Sequence, residues 1–214
     1  MFPWQKITIY ESLAITCLFR TVCEYMPRRE DDHKTCRRGS DTGDEYLWAV
    51  DSRGRVLGKE TRAESHKRGI IHRVIHVVVL DPRHRIFIKK RSKSKDMFPG
   101  QWETHVGGHV AFGDNTRQTA ARELEEELGI VEKPVYLRRF RYRGKEDEEN
   151  ITFFYVVTAK KLRLNRSEAT RGEYITMQKL EKALSQRTFV DGTQDELLII
   201  KKLWSELRRV SEEK

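Results

Sequence analysis

The stretch Gly108-His-Val-Ala-Phe-Gly-Asp-Asn-Thr-Arg-Gln-Thr-Ala-Ala-Arg-Glu-Leu-Glu-Glu-Glu-Leu-Gly-Ile130 decides how this chain is read. Asp114 or Asn115 can cap a helix, no Gly or Pro interrupts the interior that follows, and Gly129 stops it. A helix is therefore expected over residues 115–128. At about 100° per residue, Ala120, Ala121, Leu124 and Leu128 share an arc of ~100° that should face a core. Glu123, Glu126 and Glu127 share a second arc, centred roughly 125° away. Their i, i+3, i+4 spacing crowds three carboxylates, at a cost of roughly 0.2–0.5 kcal/mol per like-charge pair. The run Glu125-Glu126-Glu127 also opposes the helix dipole. A run of acids on a helix is ordinarily a solvated face. Clustered carboxylates also suit a hard divalent cation, and Mg²⁺ commonly joins such groups to substrate phosphates.

The residues just upstream favour the second reading. Gly107-Gly108 leads into the loop before the helix, and a glycine pair allows close backbone approach and positive φ. Backbone N–H groups there, next to a helix N-terminus, suit an anion. Further out, strands are expected over Tyr46 to Val50, Arg55 to Gly58, Ile70 to Leu80, Arg85 to Lys90, Trp102 to Val106, Val135 to Tyr142, Ile151 to Ala159 and Glu173 to Thr176. Thr61 to Lys67 reads as one or two helical turns, and Thr176 caps a helix through Leu184. Thr193 with Glu196 reads as a capping box for a last helix. Strands and helices mix without strict alternation, so the fold class is α+β rather than a doubly wound sheet.

The fixed positions Gly108, Arg122, Glu123, Leu124, Glu126, Glu127, Gly129 and Ile130 resemble the Nudix box, Gly-x5-Glu-x7-Arg-Glu-U-x-Glu-Glu-x-Gly-U with U apolar. Only Asp114 departs, standing where that family has Glu. The resemblance implies a Nudix-like α/β/α sandwich with a mixed sheet. It implies Mg²⁺-dependent hydrolysis, with Mn²⁺ as a substitute, of a nucleoside diphosphate linked to another moiety or of a related diphosphate. By position, Glu123, Glu126 and Glu127 match the metal ligands, and Arg122 matches an arginine that orients the box through a carboxylate. Asp114 reaches one methylene less, so a less rigid box is expected. Lys90 to Trp102, with His72-Arg73 and Gly107 to Val110, is similar to the branch containing isopentenyl-diphosphate isomerase, over about residues 44–190. That isomerase has a catalytic cysteine where Gly107 stands here, and a glycine can exchange no proton. His72 and His109 match two of its metal-binding histidines. Glu148 matches one of its acids, and the second falls on Asn150. The alternatives to a hydrolase are isomerase-like activity and a non-catalytic ligand- or nucleic-acid-binding module. The general base stays open among Glu126, Glu148, Glu149 and Glu173.

Composition narrows the partner. The chain has 214 residues, 42 Lys and Arg against 33 Asp and Glu, and a net charge of +9, which favours anionic ligands. Arg83, Arg85, Lys89, Lys90, Arg91, Lys93 and Lys95 form one basic cluster, and Arg138, Arg139, Arg141, Arg143 and Lys145 another. Lys90 and Arg91, with Gly107 and Gly108, are the expected substrate contacts. Aromatic residues do not interleave with either cluster, as a nucleic-acid stacking platform requires. A phosphorylated small molecule is therefore expected rather than nucleic acid or membrane, with a homodimer left open. Cys17, Cys23 and Cys36 make no disulfide framework, which suits a reducing cytoplasm. Ile7 to Cys23 is short for a membrane span and carries Glu11 and Arg20. Residues 1–43 read as an extension or linker, or a mis-assigned start. Residues 44–190 read as the catalytic domain, and 191–214 as a C-terminal helix packed on it.

Overall fold

The computed structural model describes residues 45–144 and 147–212, with side chains as far as Leu207. The expected extension 1–43, the three cysteines, Lys145 and Glu146 lie outside the described residues. The elements follow in the order β1 (Tyr46–Val50), β2 (Val56–Thr61), α1 (Arg62–Arg68), β3 (His72–Leu80), β4 (Ile86–Arg91), β5 (Trp102–Glu103), β6 (Val106–His109), α2 (Thr116–Leu128), β7 (Val135–Arg143), β8 (Glu148–Val157), β9 (Ala169–Ile175), α3 (Met177–Gln186) and α4 (Thr193–Glu212).

β3 is the hub of a mixed sheet. Its run Val74, Ile75, Val77, Val78, Val79 is buried on both faces, as the β-branched pattern of a central strand requires. It runs antiparallel to β1, β4 and β6 and parallel to β8, with His72 opposite Glu149 and Leu80 opposite Val157. Alternation then builds two cores. Ile75, Val77, Val79, Phe154 and Val156 pack with Ala120, Leu124 and Leu128 of α2. Val74, Val78, Ile86, Ile88 and Phe153 pack with Leu180 of α3 and with Ile200 and Leu203 of α4. The result is an α+β sandwich, helix–sheet–helix. Each such leucine contributes about 1.5–3 kcal/mol by burial.

The helix α2 begins where its cap dictates. Asn115, not Asp114, accepts from the backbone N–H groups of Arg117 and Gln118, and Gly129 closes the helix at φ 64°. Three sequence expectations change. Ala121 is only half-buried, while Glu127 joins the buried side. Gly107 and Gly108 are strand residues paired with His76 and Ile75, not a positive-φ loop. The capping box of the last helix does not form: the Thr193 hydroxyl donates to Val190 O at 2.8 Å, and the Glu196 side chain turns into the protein.

Candidate active site

The three box glutamates leave one helix in three directions. Glu126 keeps 49% of its side chain exposed, Glu123 keeps 14%, and Glu127 keeps 4%. Arg122 forks across the first two, with Nη2 2.8 Å from Glu123 Oε1 and Nη1 2.9 Å from Glu126 Oε2. Among the described residues Arg122 makes no ion pair with Asp114, which acts on it only through its field. The side chain of Glu123 lies directly over Gly108: a Cβ there would sit 2.6 Å from the Glu123 carboxyl carbon and Oε1. Gly108 is thus a glycine because the glutamate needs its space. Burial, with Glu127, Glu126 and Glu168 adding to it against Arg122, pushes the Glu123 pKa up to about 8.

Glu127 belongs to a buried charge chain. Lys89 Nζ lies 2.7 Å from Glu127 Oε2, an ion pair rather than an aligned hydrogen bond, and also donates to Glu103. Arg91 Nη1 donates to the other Glu103 oxygen at 2.9 Å, and Arg91 Nε to Met97 O at 3.0 Å. Burial pulls the Lys89 pKa down, but Glu103 and Glu127 outweigh it and raise it. Burial pushes Glu103 up, and Lys89 and Arg91 reverse this to about 2. For Glu127 burial prevails over Lys89, and its pKa is raised. The repulsion predicted for the glutamate run is therefore offset by two protein cations, Arg122 and Lys89. Of the expected substrate contacts, Arg91 is committed to Glu103. Lys90 is half-buried, and strand alternation sets it with Ile88 on the opposite face from Lys89.

On the α4 side, two histidine groups line the far face of β6. His66, His72, His109 and Asp147 bring their ligand atoms within 4.8 Å of one another, and His76, His105 and Glu196 do the same. No other described set of three does so, the box glutamates included. In the first group, His66 Nε2 lies 3.2 Å from His109 Nε2, and His66 Nδ1 lies 3.4 Å from Asp147. The Ile70 carbonyl accepts from His72 Nδ1 at 2.9 Å, leaving His72 Nε2 buried without a hydrogen bond, 3.8 Å from Asp147 Oδ2, and Asp147 Oδ1 likewise has none. Burial and the charges of His72, Arg62 and His66 drive the His109 pKa well below its usual value. In the second group the rings of His76 and His105 stack at 3.6 Å and 10°. Both point Nδ1 at the Glu196 carboxylate, at 2.5 and 2.9 Å, and Thr104 donates to it at 2.8 Å. The paired imidazoles overcome burial and hold Glu196 well below the usual carboxylate range. The stacked rings aim both Nδ1 atoms at the same carboxylate, so in this arrangement Glu196 engages the nitrogen that each imidazole would offer a metal ion.

Among the candidate bases, Glu148 is held by Arg141 and Arg143, and Glu173 by Arg187 at 2.7 Å. Glu149 keeps some solvent contact, yet dense protein around it, with Asp147 and Glu196 adding and His76 opposing, raises it to about 7. Sequence reading missed Lys89 as a buried partner, along with Glu103, Glu168, His66, His76, His105, Asp147 and Glu196. One signal existed: alternation sets Lys89 on the same face as Phe87, pointing a lysine into the core. Glu196 had none, lying 120 residues from His76.

Comparison with known proteins bears on this geometry. A family model described as the NUDIX domain matches residues 70–192. A protein of Streptomyces coelicolor named as an uncharacterized Nudix hydrolase is 38% identical over 103 residues, 47% of this chain and 57% of its own. A Nocardia farcinica protein named isopentenyl-diphosphate Delta-isomerase is 35% identical over 98 residues, 45% of this chain and 56% of its own. This chain thus spans little more than half the length of each. A solved structure from Deinococcus radiodurans superposes with a TM-score of 0.61 at 21% identity, covering 74% of this chain and 98% of that one.

Proposed function

Starting from a chain that belongs to the Nudix hydrolase family, we propose that it is a divalent-metal-dependent hydrolase of diphosphate bonds. Its substrate is a nucleoside diphosphate linked to another moiety, or a related phosphorylated small molecule, met in the cytoplasm. No described helix is long and apolar enough to cross a membrane. The observation that carries the reading is Glu123: a carboxyl packed on Gly108 beside Glu126 and Glu127, with a pKa raised to about 8. Such a group is poised to ionise when a hard cation arrives, and an all-oxygen donor set suits Mg²⁺ or Mn²⁺. Glu123, Glu126 and Glu127 would hold the ion. When bound, it would neutralise the diphosphate and acidify a water.

The chain's own groups do the rest. Lys89 fixes Glu127 from the sheet side, and Arg122 fixes Glu123 and Glu126 from solvent. The attacking water gives its proton to Glu126, since Glu148 and Glu173 are engaged by arginines and Glu149 lies across the sheet beside His76 and Glu196. Phosphate release from a panel of nucleoside diphosphate derivatives, with Mg²⁺ and with Mn²⁺, tests the reading. Glu127→Gln should lose most turnover, on the order of 10²-fold or more, while circular dichroism stays unchanged. Near wild-type turnover in that variant overturns it.

Isomerase chemistry has one observation in its favour, the His66, His72, His109 and Asp147 group, whose nitrogen and oxygen donors suit Zn²⁺ or Mn²⁺. The position of the cysteine argues against it. A Cβ at Gly107 would already lie 3.1–3.3 Å from the His105 and His76 rings, so stacked imidazoles border the space a thiol would occupy. Incubation with isopentenyl diphosphate, followed by ¹H NMR of the double bond, should show no migration.

A further inference from the structure

The register of β3, β8 and β7 assembles a second polar surface from residues outside the box. Arg141, Asn150 and Arg73 fall in one row across the three strands, and Arg139 and Thr152 in the next. By alternation all five face the α2 side, with Ile75 and Phe154. Glu148 takes one nitrogen each of Arg141 and Arg143, which leaves Arg141 Nε unpaired. Arg73 and Arg139 have no carboxylate partner among the described residues. The Arg73 guanidinium lies over the Trp48 ring, whose centroid is 5.1 Å away. Beneath them lie unpaired polar atoms cut off from solvent: Arg73 Nε, Arg141 Nε, Asn150 Oδ1 and Thr152 Oγ1. Thr152 is 2% exposed and Asn150 5%. The β1–β2 turn closes one side, where a Cβ at Gly54 would approach Asn150 Nδ2 to 2.9 Å.

Buried polar groups in native proteins are nearly always partnered, and a set of exceptions in one place needs an explanation. Water would satisfy the threonine and the amide. It would not relieve two guanidiniums on one face, where burial, with the charge of Arg139 adding to it, already weakens the hold of Arg73 on its proton. An anion meets both needs. Guanidinium forks match phosphate oxygens, the Thr152 hydroxyl adds a donor, and the Asn150 amide can present either end. Stacked bases have no platform here, because Trp48 is covered by Arg73 and lies 4.3 Å from Phe112.

We propose that Arg73, Arg139, Arg141, Asn150 and Thr152 form a binding site for the phosphate of a small molecule, built from none of the residues assigned to hydrolysis. The test uses the full chain in EDTA, so that metal-dependent binding at the glutamates is silenced. Inorganic phosphate is titrated by calorimetry at constant ionic strength, with chloride as the control. One phosphate should bind, and Arg73→Gln and Arg139→Gln should each weaken it at least about tenfold. Thr152→Val, which keeps size and shape, should weaken it less while the circular dichroism spectrum holds. Absence of phosphate binding, or binding unchanged in both arginine variants, overturns the proposal. So does a single-stranded oligonucleotide that binds more tightly than phosphate and is lost in the same variants.

Discussion

The two faces of β6 handle buried charge in opposite ways. On the α2 face each carboxylate is matched by a permanent cation: Lys89 serves Glu103 and Glu127, Arg91 serves Glu103, and Arg122 serves Glu123 and Glu126. On the α4 face the buried carboxylate of Glu196 is matched by two imidazoles and a hydroxyl. One face is a fixed lattice that another cation must enter by competition. The other holds one carboxylate, Glu196, well below its usual range by hydrogen bonds. Adjacent glycines separate the two: Gly108 makes room for Glu123, and Gly107 for His105 and His76.

Breaking the fixed lattice should have the larger effect. Lys89→Met leaves Glu103 and Glu127 buried without their shared cation, and should cost about 3–5 kcal/mol in urea unfolding. Adding Glu127→Gln to that variant should recover part of the loss, since one orphaned charge is removed. A loss below about 1 kcal/mol in Lys89→Met would show that the two faces do not differ as described.

Breaking the Glu196 cluster should cost less, and the cost should depend on pH. Glu196→Gln should lose about 1.5–3 kcal/mol at pH 7, the worth of hydrogen bonds to a charged group. The folded pKa of Glu196 is depressed, so its contribution is complete above the unfolded value near 4.5 and fades as pH falls through the folded value. The stability gap between wild type and Glu196→Gln should therefore narrow as the medium is taken from pH 7 to pH 3.5. A gap that is constant over that range would assign the loss to packing alone.

The smallest expected effect sharpens the account of the lattice. Asp114→Glu supplies the missing methylene and allows contact with Arg122, which is already engaged by Glu123 and Glu126. The gain should stay below about 0.5 kcal/mol, as for an exposed pair, and be read as a shift in Tm. A larger gain would mean that Arg122 is under-satisfied as it stands.

These contrasts explain what could be read from the chain alone. α2 was legible to within a residue because caps, stripe and stop are local signals. Its acidic arc was legible too, but the fate of each carboxylate was not, since Glu127 turns toward a lysine 38 positions upstream. The strands were legible from β-branched runs, though β8 and β9 begin earlier than the apolar pattern, at Glu148 and Ala169. Their first residues, Glu148 and Ala169, extend the pairing with Arg143 and Arg91 beyond the apolar run, and Ala169 is itself buried. Glu196 was misread because a local motif, Thr-x-x-Glu, was available to explain it, and a tertiary contact took the side chain instead. Arg73, Arg139 and Thr152 form a surface only through strand register, which no local pattern encodes.

The pairing of β3 with β8 has a consequence for how the molecule is made. His72 meets Glu149 and Leu80 meets Val157, so the whole box lies inside a loop that this central pairing must close. Such long-range closure is slow relative to local structure. On the ribosome, β3 and the box emerge well before β8, and Glu196 later still. A nascent chain that has closed its sheet but not docked α4 carries every box glutamate in place, with His76 and His105 still lacking their shared carboxylate. The Glu196 cluster is therefore the last part of the molecule to be completed, and the order of synthesis separates it from the box glutamates as cleanly as the strand does in space.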